Sequence, residues 1–292
     1  MESILSLASS VWQSASFWRT VAIGFALLNI KNLPFVWHLR VYRYFFQYGY
    51  LITPAVEQPA RPSSDLVKPR SIFTHAPILE LDLNVHKSNS TYFSDLDVSR
   101  TALMSSLIMK GAALLETRLH KQQKFGYLHF ILGSVYTNFK REIPAYAKYE
   151  VQSHIASFDE KWIYIVTYFL KPSRGKKGKK AAPAAVDDEV LRKRLFAVSI
   201  SKYVLKKGRY TVPPREAFEA AGFTPMSASG AANGAASVNQ RKTAGVNWDA
   251  QAEWEHLQAE ILKGREIVQP FVDQEQKLYD DYLEKMKLPA FA

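Results

Sequence analysis

The run ELDLNVHKSNSTY, residues 80–92, joins two different hydrophobic periodicities. Over Ile78–His86 apolar and polar residues alternate, which predicts a β-strand with apolar side chains on one face and polar side chains on the other. From Tyr92 to Leu115 apolar residues recur every three or four positions, which predicts a long buried helix. Residues 88–90 supply capping side chains for its first turn. This stretch therefore predicts a strand that leads directly into a long helix.

Further strands are predicted after this helix. Their patterns lie at His129–Phe139, Ala145–Ile155, Trp162–Leu170 and Leu195–Leu205. The third is almost wholly apolar, which is typical of a strand covered on both faces. A strand, a long helix and four more strands predict an α+β fold with an antiparallel sheet.

Three polar residues of the opening stretch are candidates for chemistry. Asp82, Asn84 and His86 are spaced two apart, so a strand would present all three on one face. The predicted helix N-terminus that follows offers unpaired N–H groups and positive potential, which suit a developing oxyanion. The same alternation is also typical of an edge strand whose polar face meets water. The spacing alone leaves both interpretations open.

Residues 80–92 resemble the signature of hotdog-fold thioesterases. The resemblance is greatest to the run Asp-Leu-Asp-Val-Asn-Gln-His-Val-Asn-Asn-x-x-Tyr of plant acyl-carrier-protein thioesterases. The shared positions are Leu81, Asp82, Asn84, His86, Asn89 and Tyr92, whereas Ser88 replaces the first Asn of the pair. With its hydrophobic N-terminus, the chain is also similar to membrane-tethered thioesterase-like proteins and to thioesterase-like proteins of fungal natural-product gene clusters. The resemblance covers about residues 70–215 and implies a hotdog fold, an antiparallel sheet wrapped around a long central helix.

The resemblance also implies roles for site residues. Asp82 matches the general base or nucleophile of hotdog thioesterases, and Asn84 and His86 match residues that position water and the substrate carbonyl. The run Lys140–Ile143 resembles an Arg-Arg-Glu-Cys stretch that carries a further catalytic Glu, which nominates Glu142. A solvated turn carboxylate is the alternative for Glu142. Substrate contacts are expected at the start of the helix, from Asn89, Ser90 and Tyr92.

The function implied is hydrolysis of an acyl thioester on CoA or on a carrier protein, in lipid or secondary-metabolite biosynthesis. No cofactor and no metal are expected, and a homodimer is implied because single hotdog units usually pair. Two alternatives remain. One is an enoyl-CoA hydratase or dehydratase on the same fold, although Asp-x-Asn-x-x-His is one residue longer than the spacing here. The other is a non-catalytic, membrane-tethered adaptor that binds acyl groups.

Composition excludes several other classes of protein. The chain has no cysteine, which rules out a thiol nucleophile and thiolate metal sites. It has no Gly-x-Ser-x-Gly, P-loop or His-Glu-x-x-His motif. The formal net charge is +11, but five of the cations lie in Pro172–Lys180, a run typical of a solvated loop. No nucleic-acid partner is therefore expected.

The chain divides by composition into five parts. Residues 1–50 are hydrophobic and aromatic, which predicts membrane association, or a helix pair packed on the domain's own surface. A Pro-rich linker is predicted at 51–70, the hotdog domain at 71–222 with a disordered insert at 172–190, a flexible linker at 223–247, and a helical extension at 248–292 that kinks at Pro270. The expected location is the cytoplasmic face of a membrane, with the endoplasmic reticulum as one candidate. The cytoplasm is expected if residues 1–50 pack on the domain.

Overall fold

The computed structural model describes residues 2–49, 53–172, 188–226 and 249–287. The strands within them are β1 Arg61–Pro62, β2 Arg70–His75, β3 Leu128–Phe139, β4 Lys148–Phe158, β5 Trp162–Leu170, β6 Leu195–Lys207, β7 Tyr210–Val212 and β8 Phe223–Thr224. An antiparallel sheet has the strand order β2-β4-β5-β6-β3, and the short strand β7 also pairs with β6. A separate parallel pair joins β1 to β8.

The helices are α1 Glu2–Leu28, α2 Val36–Gln47, α3 Thr91–Lys121, α4 Asp188–Arg194, α5 Pro214–Ala220 and α6 Ala250–Met286. The long helix α3 packs on one face of the sheet, where its apolar residues meet β4, β5 and β6. Leu107 and Leu115 of α3 lie in one core cluster with Ile155, Ile165 and Leu205 of the strands. Burial of such side chains contributes about 1.5–3 kcal/mol each. The predicted α+β hotdog arrangement, a long central helix against an antiparallel sheet, is confirmed.

The apolar strand β5 lies between β4 and β6 and has the predicted bounds. Its two faces meet different helices. Ile165 belongs to the core around α3, whereas Val166 packs with Val268 of α6 on the opposite face. This double coverage explains why the sequence of β5 is almost entirely apolar.

The prediction of a strand at Ile78–His86 is wrong. A turn of 3₁₀ helix covers Ile78–Glu80, and the residues after it form a tight turn. The predicted division into a buried apolar face and an exposed polar face also fails: Glu80 is 1% exposed, whereas Leu83 is fully exposed. The reason is that Glu80 has buried cationic partners, which the alternation of apolar and polar residues does not reveal. Asp82, Asn84 and His86 therefore do not share a strand face.

The N-terminal residues are in part packed on the domain. A turn of 3₁₀ helix at Ile30–Asn32 connects α1 to α2, and Asn29, Lys31 and Tyr44 are buried. By contrast, α1 exposes Phe17, Trp18 and other large apolar side chains. Within the described ranges, no helix combines the length and the hydropathy needed to cross a bilayer.

Three segments predicted to be linkers or disordered contain regular structure or buried residues. Within the predicted linker 51–70, β1 pairs with β8 and Leu66 is fully buried. Phe223 and Met226, at the start of the second predicted linker, are buried in the core. The end of the predicted disordered insert forms α4. The rest of both flexible segments, 173–187 and 227–248, lies outside the described residues.

The predicted C-terminal helix is present as α6 and continues through Pro270. Asp249 caps it, because its Oδ1 accepts N–H bonds from Gln251 at 2.9 Å and Ala252 at 3.4 Å. The helix packs on the outer face of the sheet where Gly264 meets the backbone of Ala156. The kink at Pro270 stays a prediction.

Candidate active site

A tight turn carries three of the predicted catalytic residues. We call residues 81–87 the site loop. Its Asp82 Oδ1 accepts N–H bonds from Asn84 at 2.9 Å and from His86 at 3.4 Å, and the Asp82 N–H donates to the His86 carbonyl at 2.9 Å. This side-chain pattern is an Asx turn. Val85 has a φ of 62°, a left-handed conformation that is strained for a β-branched residue. Strained residues of this kind cluster at functional sites.

The site loop lies against the segment that follows β3. The Lys87 N–H donates to the Ile143 carbonyl at 2.9 Å, and His86 forms a β-bridge with Pro144. The Ser88 N–H closes the loop by donating to the Glu80 carbonyl at 2.7 Å. These backbone contacts bring two distant parts of the chain together just before α3.

The side chains of His86 and Glu142 are in contact at this junction. His86 Nε2 lies 2.9 Å from Glu142 Oε2, and the two side chains are 32% and 70% exposed. The structure therefore brings together Asp82, His86 and Glu142, with His86 as the link. Their catalytic roles stay predictions.

The other predicted site residues divide into two groups. Asn84, Asn89 and Ser90 are exposed on the loop and at the start of α3. Within the described residues, the main-chain N–H groups of Asn89 and Ser90 donate no backbone hydrogen bond. Tyr92, in contrast, is buried, and its ring packs on Phe139 and Phe169. The structure thus places Tyr92 in the core beneath the site.

A buried charge cluster lies beneath the site loop, and sequence reasoning missed it. Lys31 Nζ lies 2.8 Å from Glu80 Oε1 and 3.0 Å from Asp95 Oδ2, and Lys87 Nζ lies 2.5 Å and 3.0 Å from the same two carboxylates. All four side chains are at most 4% exposed. Arg40 Nη2 adds a 3.0 Å contact to Asp95 Oδ1. Two features of the sequence could have indicated buried charges here: Asp95 lies on the apolar face of α3, and Lys31 lies between two apolar segments.

The cluster changes the ionisation of its members. Burial alone raises the pKa of Asp95, but Lys31, Lys87 and Arg40 outweigh it and hold that pKa well below its usual range. Burial lowers the pKa of Lys31, and the neighbouring carboxylates oppose this effect. Burial and the nearby Asp95 raise the pKa of Tyr149, which donates a 2.5 Å hydrogen bond to Asp95 Oδ2.

The described residues offer no group of three or more His, Asp or Glu side chains arranged to hold a metal ion. The site consists instead of one imidazole, two carboxylates and the open N-terminus of a long helix. Such a set can move protons and stabilise negative charge on a carbonyl oxygen.

The hotdog fold brings a histidine, two carboxylates and a helix N-terminus to one point, an arrangement compatible with a hydrolase of the thioesterase type. Residues 76–191 match the family model described as the thioesterase-like superfamily. A probable thioesterase of Emericella nidulans is 35% identical over 242 residues, which cover 77% of this chain and 78% of the relative. A thioesterase of Penicillium oxalicum is 34% identical over 230 residues, 72% of each chain.

The chain belongs to the thioesterase-like superfamily, and its membership places it among the thioester hydrolases. A crystal structure of a probable thioesterase from Escherichia coli matches with 12% identity and a TM-score of 0.35, over 52% of this chain and 96% of that one.

Proposed function

We propose that this protein hydrolyses an acyl thioester carried by CoA or by a carrier protein, at the site formed by Asp82, His86 and Glu142. The observation that carries this proposal is the 2.9 Å contact between His86 and Glu142, next to the Asp82 turn and the start of α3. Lipid or secondary-metabolite biosynthesis is the proposed setting, which rests on the family resemblance of the sequence.

In the proposed reaction the thioester carbonyl lies at the N-terminus of α3. The N–H groups of Asn89 and Ser90 polarise it, and each such donor is worth about 10²–10³ in rate in characterised sites. Asp82 uses one oxygen to hold the turn, and its other oxygen accepts a proton from water as the water oxygen attacks the carbonyl carbon. The C–S bond then breaks, and protonated His86 gives its proton to the departing thiolate. Glu142 stabilises the imidazolium beforehand.

The test is thiol release from saturated acyl-CoA substrates, from butyryl- to stearoyl-CoA, and from an acyl-carrier-protein donor. Hydrolysis of at least one saturated thioester is expected. Crotonyl-CoA is assayed in parallel for water addition to the double bond. Hydration of crotonyl-CoA without thiol release from saturated substrates would replace the proposal by the hydratase alternative. If the protein catalyses neither reaction, the remaining alternative is a non-catalytic adaptor that binds acyl groups.

We also propose that the protein is a homodimer that pairs through β3. This edge strand is 12 residues long and pairs only with β6 within the described sheet. It exposes Ile131 and Leu132, and long apolar edges favour pairing with another chain. It ends at Phe139, shortly before Glu142, so a partner strand would lie close to the site.

The oligomeric state tests the dimer. Light scattering after gel filtration should give the dimer mass for the wild type and the monomer mass for the variant I131K/L132K. F73K, on the opposite edge strand β2, is a matched control that should remain dimeric. A monomeric wild type would contradict the proposal.

Membrane association is proposed through α1 and α2, at the cytoplasmic face. Around α2, Leu39, Tyr42 and Phe46 form an exposed apolar stripe, and Arg43 adds an exposed cation beside it. The opposite face of α2 packs on the domain through its aromatic residues. This pattern is typical of a helix that lies in the interface of an anionic membrane.

Flotation of the full chain with vesicles tests this surface. Binding is expected to phosphatidylcholine vesicles that contain phosphatidylserine, and weaker binding to phosphatidylcholine alone. The variant L39Q/Y42Q/F46Q should lose most of the binding. The control L278Q/Y279Q/Y282Q removes exposed apolar side chains from α6 and should bind as the wild type does. Equal flotation of both variants would contradict the role of α2.

A further inference from the structure

We infer that Lys31, in the N-terminal segment, is a positioning residue for the active site: it holds the two ends of the site loop through the buried cluster. This inference rests on the proposed function, because it assigns Lys31 a role in the same reaction. It also gives residues 29–40 a task apart from membrane association.

The contacts of Lys31 lead directly to both ends of the site loop. Glu80 immediately precedes the loop and Lys87 ends it. Lys31 pairs with Glu80 and with Asp95, and Lys87 pairs with the same two carboxylates. Asp95 lies in the first turns of α3, so the cluster also ties the loop to the helix N-terminus. His86 is the chain neighbour of Lys87, and a shift of Lys87 therefore moves the imidazole.

The Nζ group of Lys31 is fully hydrogen-bonded within the buried cluster. Besides the carboxylates, its Nζ donates to the His75 carbonyl at 2.9 Å and to the Tyr149 hydroxyl at 3.2 Å. The residue is 7% exposed although it follows an exposed helix. Burial of a lysine side chain costs free energy. A buried lysine with this many hydrogen-bond and ion-pair partners therefore indicates a specific structural role.

Loss of the Lys31 charge would redistribute the remaining contacts. Glu80 would keep only Lys87 as a cationic partner among the described residues, while Asp95 would keep Arg40 and Lys87. Lys87 would then contact both carboxylates without the second lysine charge, and its position at the end of the site loop would shift. A misplacement of about 1 Å in catalytic groups can cost about 10²-fold in rate.

The experiment compares K31M with the wild type on the acyl-CoA that the wild type hydrolyses fastest. We expect kcat to fall by about 10- to 100-fold. KM should stay nearly unchanged, because the side chain of Lys31 is 4% exposed and lies beneath the surface proposed to bind substrate. K68M is the matched control: Lys68 is exposed, pairs with Asp65 outside the cluster, and should keep wild-type kinetics.

A spectroscopic readout separates positioning from loss of fold. The imidazole ¹⁵N signals of His86, assigned with H86Q, report its contact with Glu142. In K31M these signals should move toward those of the E142Q variant at a temperature where thermal melting shows K31M to be folded. The measurement needs no substrate, so it also tests the inference if the wild type hydrolyses none.

A double-mutant cycle provides the second variant. E80Q removes the carboxylate that K31M leaves under-compensated, so K31M/E80Q should recover part of the lost kcat and of the His86 signal. Unchanged kcat and unchanged His86 signals in folded K31M would overturn the inference. A loss of activity that only follows the unfolded fraction, with no recovery in the double variant, would also overturn it.

Discussion

His86 Nε2 lies 2.9 Å from Glu142 Oε2, although the whole of α3 and β3 separates the two residues in the chain. Two backbone contacts beside the pair, from Lys87 to Ile143 and from His86 to Pro144, hold the segments together. The pairing explains how a histidine before the central helix and a glutamate after the next strand can act in one reaction.

Replacement of His86 tests this pairing. H86A should lower kcat by about 10²–10⁴, the range for a positioned acid–base group. KM should change little, because the acyl chain binds elsewhere. Steady-state thiol release from a saturated acyl-CoA gives both constants. A large increase in KM with unchanged kcat would instead indicate that His86 only binds substrate.

The sequence predicted the helix α3 and the strands β3 to β6 because their apolar periodicities extend over nine or more residues. It failed at Ile78–His86, where the alternation was real but the backbone forms turns. Strand periodicity describes which side chains could share a face, and it does not include the free energy of a buried ion pair. Glu80, a polar residue predicted to face outward, is instead buried in ion pairs with Lys31 and Lys87.

Family resemblance identified Asp82, His86 and Glu142, and their proximity is visible only in the structure. The pairing within the charge cluster was not predictable. Asp95 among the apolar residues of α3 and Lys31 between apolar segments indicate buried charges, but Lys31, Glu80 and Asp95 are distant in sequence and each is an ordinary surface residue type. For the same reason the sequence leaves open whether residues 1–50 associate with a membrane or pack on the domain, whereas the structure buries Asn29, Lys31 and Tyr44 of this segment. A local pattern can indicate that a charge is buried, but it does not show which distant charge it contacts.

The depressed pKa of Asp95 predicts the pH dependence of stability. A carboxyl group with a folded-state pKa below its unfolded value, about 3.9 for Asp, stabilises the fold above that value and loses the effect as the pH falls through the folded pKa. D95N should therefore be less stable than the wild type by about 3–5 kcal/mol at neutral pH, since it breaks a buried pair. The difference should shrink below about pH 4.

Urea unfolding of both proteins between neutral pH and the acid limit of solubility measures this difference. A free-energy difference that stays constant on acidification would show that Asp95 does not supply the acid-sensitive stability.

Two N-terminal truncations separate α1 from the residues that pack on the domain. A variant that begins at Asn29 keeps Lys31 and Arg40 and should melt close to the full-length protein. A variant without residues 1–50 leaves Glu80 and Asp95 with Lys87 alone, and it should melt about 10 °C lower or fail to fold. Thermal unfolding in the same buffer compares them, and equal melting temperatures would contradict the role of Lys31 and Arg40 in the fold.

The docking of α6 depends on Gly264. A Cβ added there would lie 1.7 Å from the Ala156 carbonyl oxygen, so G264A forces the helix away from β4. The variant should lose about 1–3 kcal/mol of stability, the usual cost of overpacking, and α6 should become more sensitive to limited proteolysis. G24A is the control, because an added Cβ at Gly24 meets nothing within 4 Å. Unchanged proteolysis of G264A would mean that α6 does not pack as described.

The most direct test of thioester hydrolysis at this site is thiol release from a saturated acyl-CoA by the wild type and D82N, measured side by side. Asn keeps the volume of Asp and an oxygen that can accept the N–H bonds of Asn84 and His86, so the turn should survive while the base is lost. We predict hydrolysis by the wild type and loss of at least about 10²-fold in kcat in a folded D82N, the lower end for removal of a general base. Undiminished turnover by D82N, or no thiol release by the wild type from any chain length or carrier-protein donor, would contradict the account.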